Sequence, residues 1–165
     1  MEIRKIAPTD NFDDIARIYV RSWRHAYINI VPQQYLDELS ENHFANRLKN
    51  NYVNTFVMIE NGEYIGASSI SAARDEKMSG WGEIPSIYLL PEYIRKGFGK
   101  LLLDNSVAAL LNMGYDKIYL WVLEANTRAR RFYEKNGFAF SGDKKDKMVI
   151  NIGGKDLPEV RYIYI

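Results

Sequence analysis

The sequence contains no cysteine, and this absence excludes several kinds of chemistry. A chain without thiols forms no disulfide, no thiolate metal site and no covalent intermediate on a cysteine sulfur. The absence fits a reducing compartment. We therefore expect a cytoplasmic protein, and we predict no metal site.

Long apolar runs are missing as well. No stretch approaches the roughly 18 apolar residues of a membrane-spanning helix, and the charged first residues, MEIRKIAPTDNFDD, are not typical of a signal peptide. Neither sign of charge dominates, since 22 basic side chains stand against 21 acidic ones. A dedicated nucleic-acid-binding protein usually carries a strongly basic face. We expect neither a membrane nor a nucleic acid as a partner.

Apolar residues, in contrast, are plentiful. They make up 47% of the 165 residues, which is enough to bury one proper core. We find no internal repeat, low-complexity tract or long linker. The sequence therefore predicts a single domain over residues 1–165.

The first half of the chain predicts a strand, helices and a hairpin. EIRKIA alternates as a strand does, and Asp10 is the expected N-cap of an amphipathic helix in FDDIARIYVRSWRHAY. A short helix is predicted from Pro32, and another in HFANRLKN. The runs TFVMIE and EYIGASSISAA are joined by Asn61 and Gly62, a pair typical of a type I′ hairpin turn.

The second half alternates strands with helices. Pro85 in the strand EIPSIYLL indicates a bulge or an unpaired edge. A helix closed by Gly114, the strand KIYLWVL and a helix from Asn126 to Gly137 follow. The strands KMVINI and EVRYIYI would then pair around GGKDLP. The strand–helix–strand unit requires a parallel pair or a crossover, so we predict an α/β fold with a mixed sheet. We expect the apolar C-terminal strand EVRYIYI to be an exposed edge, which favours a homodimer.

The stretch IRKGFGK, residues 94–100, places two glycines and three cationic side chains at the start of a predicted helix. A helix N-terminus has unpaired N–H groups and a partial positive charge, and glycines let an anion approach closely. The stretch therefore indicates a pyrophosphate site. A dinucleotide fingerprint would need a third glycine where Leu102 stands, and the P-loop pattern is absent. A turn that only connects a strand to a helix remains an alternative.

Two segments together resemble the Gcn5-related N-acetyltransferase (GNAT) family. In EIPSIYLLPEYIRKGFGKLLL, a strand leads into a turn like the [Gln/Arg]-x-x-Gly-x-[Gly/Ala] turn that binds the pyrophosphate of acetyl-CoA in that family. Ile94 departs from this pattern, and we expect Arg95 or Lys96 to supply the missing polar group. The second segment is similar to the family pattern Asn-x-x-Ala-x-x-Phe-Tyr-x-x-x-Gly-Phe, at Asn126, Ala129, Phe132, Tyr133, Gly137 and Phe138.

The resemblance implies a GNAT-type acyl-CoA N-acyltransferase domain. Its central sheet would be mixed and mostly antiparallel, with helices on its flanks and one strand splayed at the cofactor site. The resemblance also implies which residues bind acetyl-CoA: the strand residues would pair with the pantetheine arm, the turn would hold the pyrophosphate, and Asn126 would cap a helix and contact the arm. These predicted cofactor-binding residues are Ile87, Tyr88, Leu89, Arg95, Lys96, Gly97, Phe98, Gly99, Lys100 and Asn126. Trp23 and Tyr27 would bind the acceptor, together with Tyr35 and the segment RDEKMSGW.

The implied reaction is the direct attack of a primary amine, on a small molecule or a peptide, on the thioester of acetyl-CoA. An alkyl amine with a pKa of about 10 is only about one part in a thousand neutral at pH 7, so a general base helps. Glu83 is the first candidate for this base, Glu124 the second and His25 a third. Tyr133 is expected to protonate the departing thiolate.

Other interpretations remain open at this level. The chain could be a sensor that binds acyl-CoA without turnover, or a flavin- or nucleotide-binding protein that uses the glycine turn for another phosphate. Core packing would also explain Tyr133 and Trp23, and helix capping alone would explain Asn126. The acceptor is not identified. A polyamine would favour an acidic lining, for which the candidates are Asp37, Glu38, Glu41, Asp75 and Glu76.

Overall fold

The structure is a computed structural model that describes residues 1–142 and 147–165. Within these ranges the helices are α1 (Phe12–Ala26), α2 (Gln33–Asp37), α3 (Glu41–Asn50), α4 (Phe98–Asn112) and α5 (Thr127–Lys135). The strands are β1 (Glu2–Lys5), β2 (Thr55–Glu60), β3 (Glu63–Ala72), β4 (Gly82–Leu89), β5 (Ile118–Leu123), β6 (Phe138–Phe140), β7 (Lys147–Ile152) and β8 (Lys155–Tyr164). Single 3-10 turns occupy Glu76–Met78 and Pro91–Tyr93.

These strands form one mixed sheet in the order β1, β2, β3, β4, β5, β8 and β6, and β7 also pairs with β8. The β4–β5 pair is parallel, and α4 makes the crossover between them. The other pairings within the described residues are antiparallel. The predicted mixed, mostly antiparallel sheet with flanking helices is therefore confirmed.

Helices cover both faces of the sheet. Side chains in β2 alternate between the faces: Val57 packs with Ile15 and Leu48 of α1 and α3, whereas Phe56 packs with Leu103 of α4. Full burial of one such aliphatic side chain contributes about 1.5–3 kcal/mol before entropy is subtracted. The sheet thus lies between two apolar layers. A ligand-binding cleft must therefore open at an end of the sheet or between two of its strands.

The hairpin between β2 and β3 follows the local sequence signal. Asn61 and Gly62 have φ angles of 51° and 80°, as the two central positions of a type I′ turn require. Asn adopts the left-handed region more readily than other non-glycine residues. The predicted hairpin is confirmed.

The predicted N-cap of α1 is wrong by one residue. Asn11, not Asp10, caps the helix, and its side-chain oxygen accepts from the N–H groups of Asp13 and Asp14. Asp10 instead accepts two hydrogen bonds of 2.7 Å from Arg4 and one of 2.7 Å from the Tyr64 hydroxyl. Because these hydrogen bonds hold the Asp10 carboxylate, it does not cap α1.

The prediction of an exposed C-terminal edge is also wrong. The centre of β8 is paired on both sides, because Val160 lies opposite Val122 of β5 and Lys147 of β7, and Tyr162 lies opposite Leu120 of β5 and Phe140 of β6. The short strand β6, which the pattern analysis missed, covers part of this edge. The reason given for a homodimer therefore fails, and the dimer itself stays a prediction.

Candidate active site

The candidate site begins where β4 separates from β5. The two strands pair only at Gly82 with Ile118 and at Glu83 with Tyr119. Immediately beyond, the β3–β4 register shifts, so that Ile84 and Pro85 lie opposite one residue of β3. Pro85 has no N–H to donate to a ladder, and an extra residue bends a strand. The predicted irregularity at Pro85 and the predicted splay of this strand are both present.

Beyond the bulge, β4 has unpaired backbone groups on the side that faces the splay. The Leu90 N–H donates to the Ile65 carbonyl of β3 at 2.8 Å. Because successive residues of a strand alternate their backbone direction, Tyr88 also bonds to β3, while Ile87 and Leu89 direct their backbone groups away from it. The Leu89 carbonyl accepts from the Ser22 hydroxyl at 2.9 Å. Among the described residues, therefore, nothing pairs with the two backbone groups of Ile87 or with the Leu89 N–H, and an extended ligand could bind them.

The glycine turn forms the N-terminus of α4. Gly97 is its N-cap at φ 89°, and Arg95 has φ 65°. The Gly97 carbonyl accepts from the N–H groups of Lys100 and Leu101. Within the described part of the chain, the N–H groups of Gly97, Phe98 and Gly99 have no hydrogen-bond acceptor. Successive N–H groups in this conformation form an anion-binding concavity.

A cleft of about 1840 Å³ runs from this turn along the splay and under α1. It brings together most of the predicted site residues: Trp23, Tyr27, Glu83, Ile87, Tyr88, Leu89, Arg95, Gly97, Gly99, Lys100, Asn126 and Tyr133. Lys96 and Phe98 are not among its lining residues. Lys96 lies over the Tyr93 ring at 5.3 Å, and the Phe98 ring packs against the core beside Tyr93.

The last helix contributes Asn126 and Tyr133. Asn126 is the N-cap of α5 and accepts from the Ala129 N–H at 3.1 Å, so its predicted capping role is confirmed. Tyr133 is 8% exposed, and burial, together with the nearby Tyr88 phenol, raises the pKa of its phenol well above the usual value. Its phenol therefore keeps its proton throughout the physiological pH range.

Glu83 lies at the closed end of the splay, 1% exposed. Its carboxylate accepts from the Arg74 N–H at 3.0 Å, from the Arg74 guanidinium and from the Tyr119 hydroxyl at 2.9 Å. Burial by itself would raise the pKa of Glu83, but the Arg74 and Tyr119 hydrogen bonds outweigh it and hold the pKa below the usual value. Glu83 is thus an ionised carboxylate, and its occupied oxygens make it a weak base.

The other two candidate bases have partners as well. Glu124 is not among the cleft-lining residues, and a 2.7 Å bond from Lys147 lowers its pKa. His25 lines the cleft, where its Nε2 accepts from Arg128 at 2.8 Å. Burial and the Arg128 charge lower the pKa of His25, which keeps the imidazole neutral near pH 7.

Aromatic side chains form the wall on the α1 side. The Trp23 indole N–H donates to the Tyr88 hydroxyl at 2.9 Å, and the Trp23 and Tyr27 rings meet edge to face at 4.8 Å. Burial and the neighbouring Tyr88 phenol raise the pKa of Tyr27. Tyr35 contacts Trp23 from behind and does not line the cleft. The wall is apolar with phenol hydroxyls at its surface, which suits an aliphatic chain that ends in a polar group.

Charged residues at the two ends of the cleft differ. The glycine turn contributes Arg95 and Lys100 to the lining, and α5 adds Arg128, Arg131 and Lys135. Lys100 also bonds to Asp104 at 2.5 Å. At the other end both signs occur, in Arg74, Asp75, Glu76, Lys77, Glu159 and Arg161. Asp37, Glu38 and Glu41, candidates for an acidic lining, lie outside the cleft.

Glu159 was missed by the sequence analysis. It lies in the middle of β8, half-buried, opposite Leu123 of β5. The signal that could have found it is the alternation in EVRYIYI. Because Val160 and Tyr162 are core residues, Glu159 must face the opposite side of the sheet. Which side holds the cleft is not readable from that strand alone.

Within residues 1–142 and 147–165, no three histidine, aspartate or glutamate side chains are grouped as metal ligands. No helix in the same ranges has the length and apolarity needed to cross a bilayer.

Known proteins match the chain over most of its length. The model of the acetyltransferase (GNAT) family matches residues 12–138. An uncharacterised N-acetyltransferase of Bacillus subtilis, YuaI, is 32% identical over 156 residues, covering 93% of this chain and 87% of that protein. A spermidine N(1)-acetyltransferase of Thermoplasma acidophilum is 26% identical over 142 residues, covering 84% of this chain and 88% of that protein.

Solved structures share the fold. The PaiA N-acetyltransferase of Thermoplasma acidophilum, in complex with coenzyme A, superposes with a TM-score of 0.76 at 23% identity, over 96% of each chain. The chain belongs to the GNAT family. It is an acyltransferase of the N-acetyltransferase type, and the sensor and flavin-binding alternatives are set aside.

Proposed function

We propose that this protein transfers the acetyl group of acetyl-CoA to a primary amine. The observation that carries the proposal is the continuity of the cleft. Unpaired backbone groups of Ile87 and Leu89 lie along the same opening as the unpaired N–H groups of Gly97 and Gly99. An extended amide-containing arm joined to a pyrophosphate matches both sets.

The residues at each position fit coenzyme A. An arm lying along β4 would complete the ladder that β5 leaves after Glu83, as an added strand does. The pyrophosphate would meet the N-terminus of α4, where each exposed helix-end charge interaction is worth about 0.3–1 kcal/mol. Arg128, Arg131 and Lys135 supply further positive charge for a phosphate. Arg95 replaces the polar side chain missing at Ile94, since both residues line the cleft.

The chemistry needs a proton donor for the leaving sulfur and an acceptor for the amine proton. Bound acetyl-CoA supplies an activated thioester carbonyl. Tyr133 is the donor, because its phenol is protonated at neutral pH and its hydroxyl has no hydrogen-bond partner within the described residues. A thiolate with a pKa near 8.5 takes a proton readily from a positioned donor.

The proton acceptor is a carboxylate of the cleft. Glu83 stays a candidate, either directly or through a water molecule. Arg74 and Tyr119 already donate to its two oxygens, so a proton would have to displace one of these bonds. A carboxylate without such donors is the better base.

The acceptor is a primary amine on an aliphatic chain. The wall of Trp23 and Tyr27 offers apolar surface, and both Asp75 and Glu76 line that end of the cleft. The similar Thermoplasma acidophilum protein is a spermidine acetyltransferase, which makes polyamines the first class to test. The basic residues at the same end allow acceptors that also carry a carboxylate, such as a peptide.

The test is an acetylation assay with mass-spectrometric detection. Purified protein is incubated with acetyl-CoA and, separately, with spermidine, lysine and a peptide with an N-terminal alanine. We expect a product 42 Da heavier for at least one amine, and coenzyme A binding measurable by calorimetry. Binding of coenzyme A without any acetylated product would contradict the proposal.

A further inference from the structure

We propose that Glu159 is the catalytic base that removes the proton from the acceptor amine. The proposal rests on the proposed acetyl transfer and names a residue outside the two family-like segments. In this proposal Glu83 is not the base but a neighbouring carboxylate that stays paired with Arg74.

The position of Glu159 in the sheet aims its side chain at the cleft. Residues directly opposite each other in an antiparallel pair share a face. Glu159 lies opposite Leu123 of β5 and Met148 of β7. The same face carries Trp121, which, like Met148 and Glu159, lines the cleft. The carboxylate therefore stands on the cleft floor, at the end away from the glycine turn.

Glu159 and Tyr133 share neighbours. The Tyr27 phenol is buried near the hydroxyls of Tyr88 and Tyr133 and near the Glu159 carboxylate. The Tyr88 phenol is likewise buried within electrostatic reach of Glu159. A base and an acid placed around the same two phenols enclose the space in which an amine would meet a thioester.

Glu159 is also better able than Glu83 to accept a proton. Among the described residues, no donor makes a hydrogen bond to its side chain, whereas Glu83 accepts several from Arg74 and Tyr119. Burial raises the pKa of Glu159, the Arg74 charge opposes this, and the Glu83 charge adds to it. A base whose pKa moves toward the working pH is a more effective catalyst than one held ionised by a permanent partner.

Charged and titratable groups from several elements line the cleft together with Glu159. They are Tyr27 on α1, Arg74 and Asp75 after β3, Glu83 and Tyr88 on β4, Tyr119 on β5, Tyr133 on α5, Lys147 on β7 and Arg161 on β8. Arg74 is paired with Glu83 and Lys147 with Glu124. Glu159 belongs to neither ion pair, and the charges of Arg74 and Glu83 act on it in opposite directions.

The proton balance of the step is closed. The amine nitrogen forms a bond to the acyl carbon with its lone pair, and one N–H proton passes to the Glu159 carboxylate. The carbon–sulfur bond breaks, its electron pair stays on sulfur, and the thiolate takes the Tyr133 proton. Solvent returns Glu159 and Tyr133 to their starting states.

The experiment compares Glu159→Gln with Glu83→Gln and with a control on the same strand, Asp156→Asn. Asp156 is exposed, bonds to Asn151 and does not line the cleft. Rates of acetylation are measured between about pH 6 and 9 with spermidine and with the N-terminal alanine peptide, alongside calorimetric affinity for coenzyme A. Carbon-13 NMR of the glutamate carboxyls in the ligand-free protein gives the titration of Glu159 directly.

We expect Glu159→Gln to lower kcat/KM about 100-fold or more and to abolish the acidic limb of its pH profile, with coenzyme A affinity unchanged. Asp156→Asn should behave as the parent protein, and Glu83→Gln should keep the acidic limb. The Glu159 carboxyl resonance should titrate above its usual range.

Several results would overturn the inference. If the parent protein acetylates an amine and Glu159→Gln keeps its rate and acidic limb, the base lies elsewhere while the proposed function stands. Loss of the limb in Glu83→Gln instead would assign the base to Glu83. A Glu159 carboxyl that titrates at or below the ordinary range also refutes it. If the parent acetylates no amine, the proposed function fails and the base assignment fails with it.

Discussion

Replacing Tyr133 with Phe separates a chemical role from a packing role. The Tyr133 ring packs between Phe132, Phe138 and Tyr162 at centroid distances of 5.4, 6.0 and 6.2 Å. Phenylalanine keeps these contacts, and the hydroxyl it removes has no hydrogen-bond partner among the described residues. The change is therefore confined to the one atom group that we assign to proton donation.

Tyr162 provides a matched control in the same cluster. Its hydroxyl donates to Glu134 at 2.7 Å and accepts from Arg130 at 3.0 Å. Both bonds involve charged groups, for which about 1.5–3 kcal/mol each is typical and less where the partners are solvated. We therefore expect Tyr162→Phe to lower the free energy of unfolding by about 2 kcal/mol. In a domain of this size, this loss lowers Tm by about 6 °C.

The two variants should therefore show opposite patterns. Tyr133→Phe should leave Tm within about 2 °C of the parent. It should lower kcat by about 10²–10⁴-fold, which corresponds to about 2.7–5.5 kcal/mol of activation free energy. Tyr162→Phe should lose stability and keep kcat. Neither should change coenzyme A affinity.

The assay follows release of coenzyme A thiol with a chromogenic disulfide, and calorimetry gives Tm and affinity on the same samples. Because the pKa of Tyr133 is raised, its deprotonation should add no basic limb below about pH 10. Undiminished turnover in Tyr133→Phe would remove the residue from catalysis. A parallel loss of Tm and kcat in both variants would refute the separation of roles.

Two other predictions concern the turn and the first strand. Gly97→Ala places a methyl group in open space at φ 89°, so we expect about 1–2 kcal/mol of backbone strain and weaker coenzyme A binding by calorimetry. Gly114→Ala, which likewise places a methyl group in open space at positive φ but lies at the other end of α4, should show the same strain and bind coenzyme A as the parent does. Equal losses of affinity in the two variants would argue against a local effect at the turn. Asp10→Asn should lower the free energy of unfolding at pH 7 by about 2 kcal/mol, measured in urea. The Arg4 hydrogen bonds hold the pKa of Asp10 well below its usual range. Its contribution is thus complete above the unfolded-state pKa, and the difference between parent and variant should shrink as the pH falls toward the depressed value; a difference independent of pH would contradict this account.

Local signals predicted those elements whose causes are local. The Asn61-Gly62 turn and the Asn126 cap depend on backbone conformations that neighbouring residues impose, and both are present. The prediction that Asp10 caps α1 was wrong because two adjacent residues could serve as the cap. Arg4 and Tyr64, which come near only in the folded chain, bind the Asp10 carboxylate and leave Asn11 as the cap.

The candidate site was predictable where it depends on the chain's glycines and missed where it depends on strand pairing. The cradle around Gly97 can be read from seven consecutive residues. The Glu83–Arg74 pair requires the β3–β4 connection to fold back, and the cleft-facing side of Glu159 requires that β8 lie beside β5. Neither condition is encoded in a short window.

The departure of β4 from β5 connects the two halves of the site. Had the pair continued past Glu83, β5 would occupy the backbone groups of Ile87, and no gap would exist between β4 and β5. The bulge at Pro85 ends the pairing at Glu83, and the cleft that opens there is lined by the glycine turn and by Glu159. One irregularity in one strand thus exposes the surface proposed to hold the thioester carrier and gives the proposed base access to the acceptor. A substitution that straightened β4 would be expected to remove both properties together.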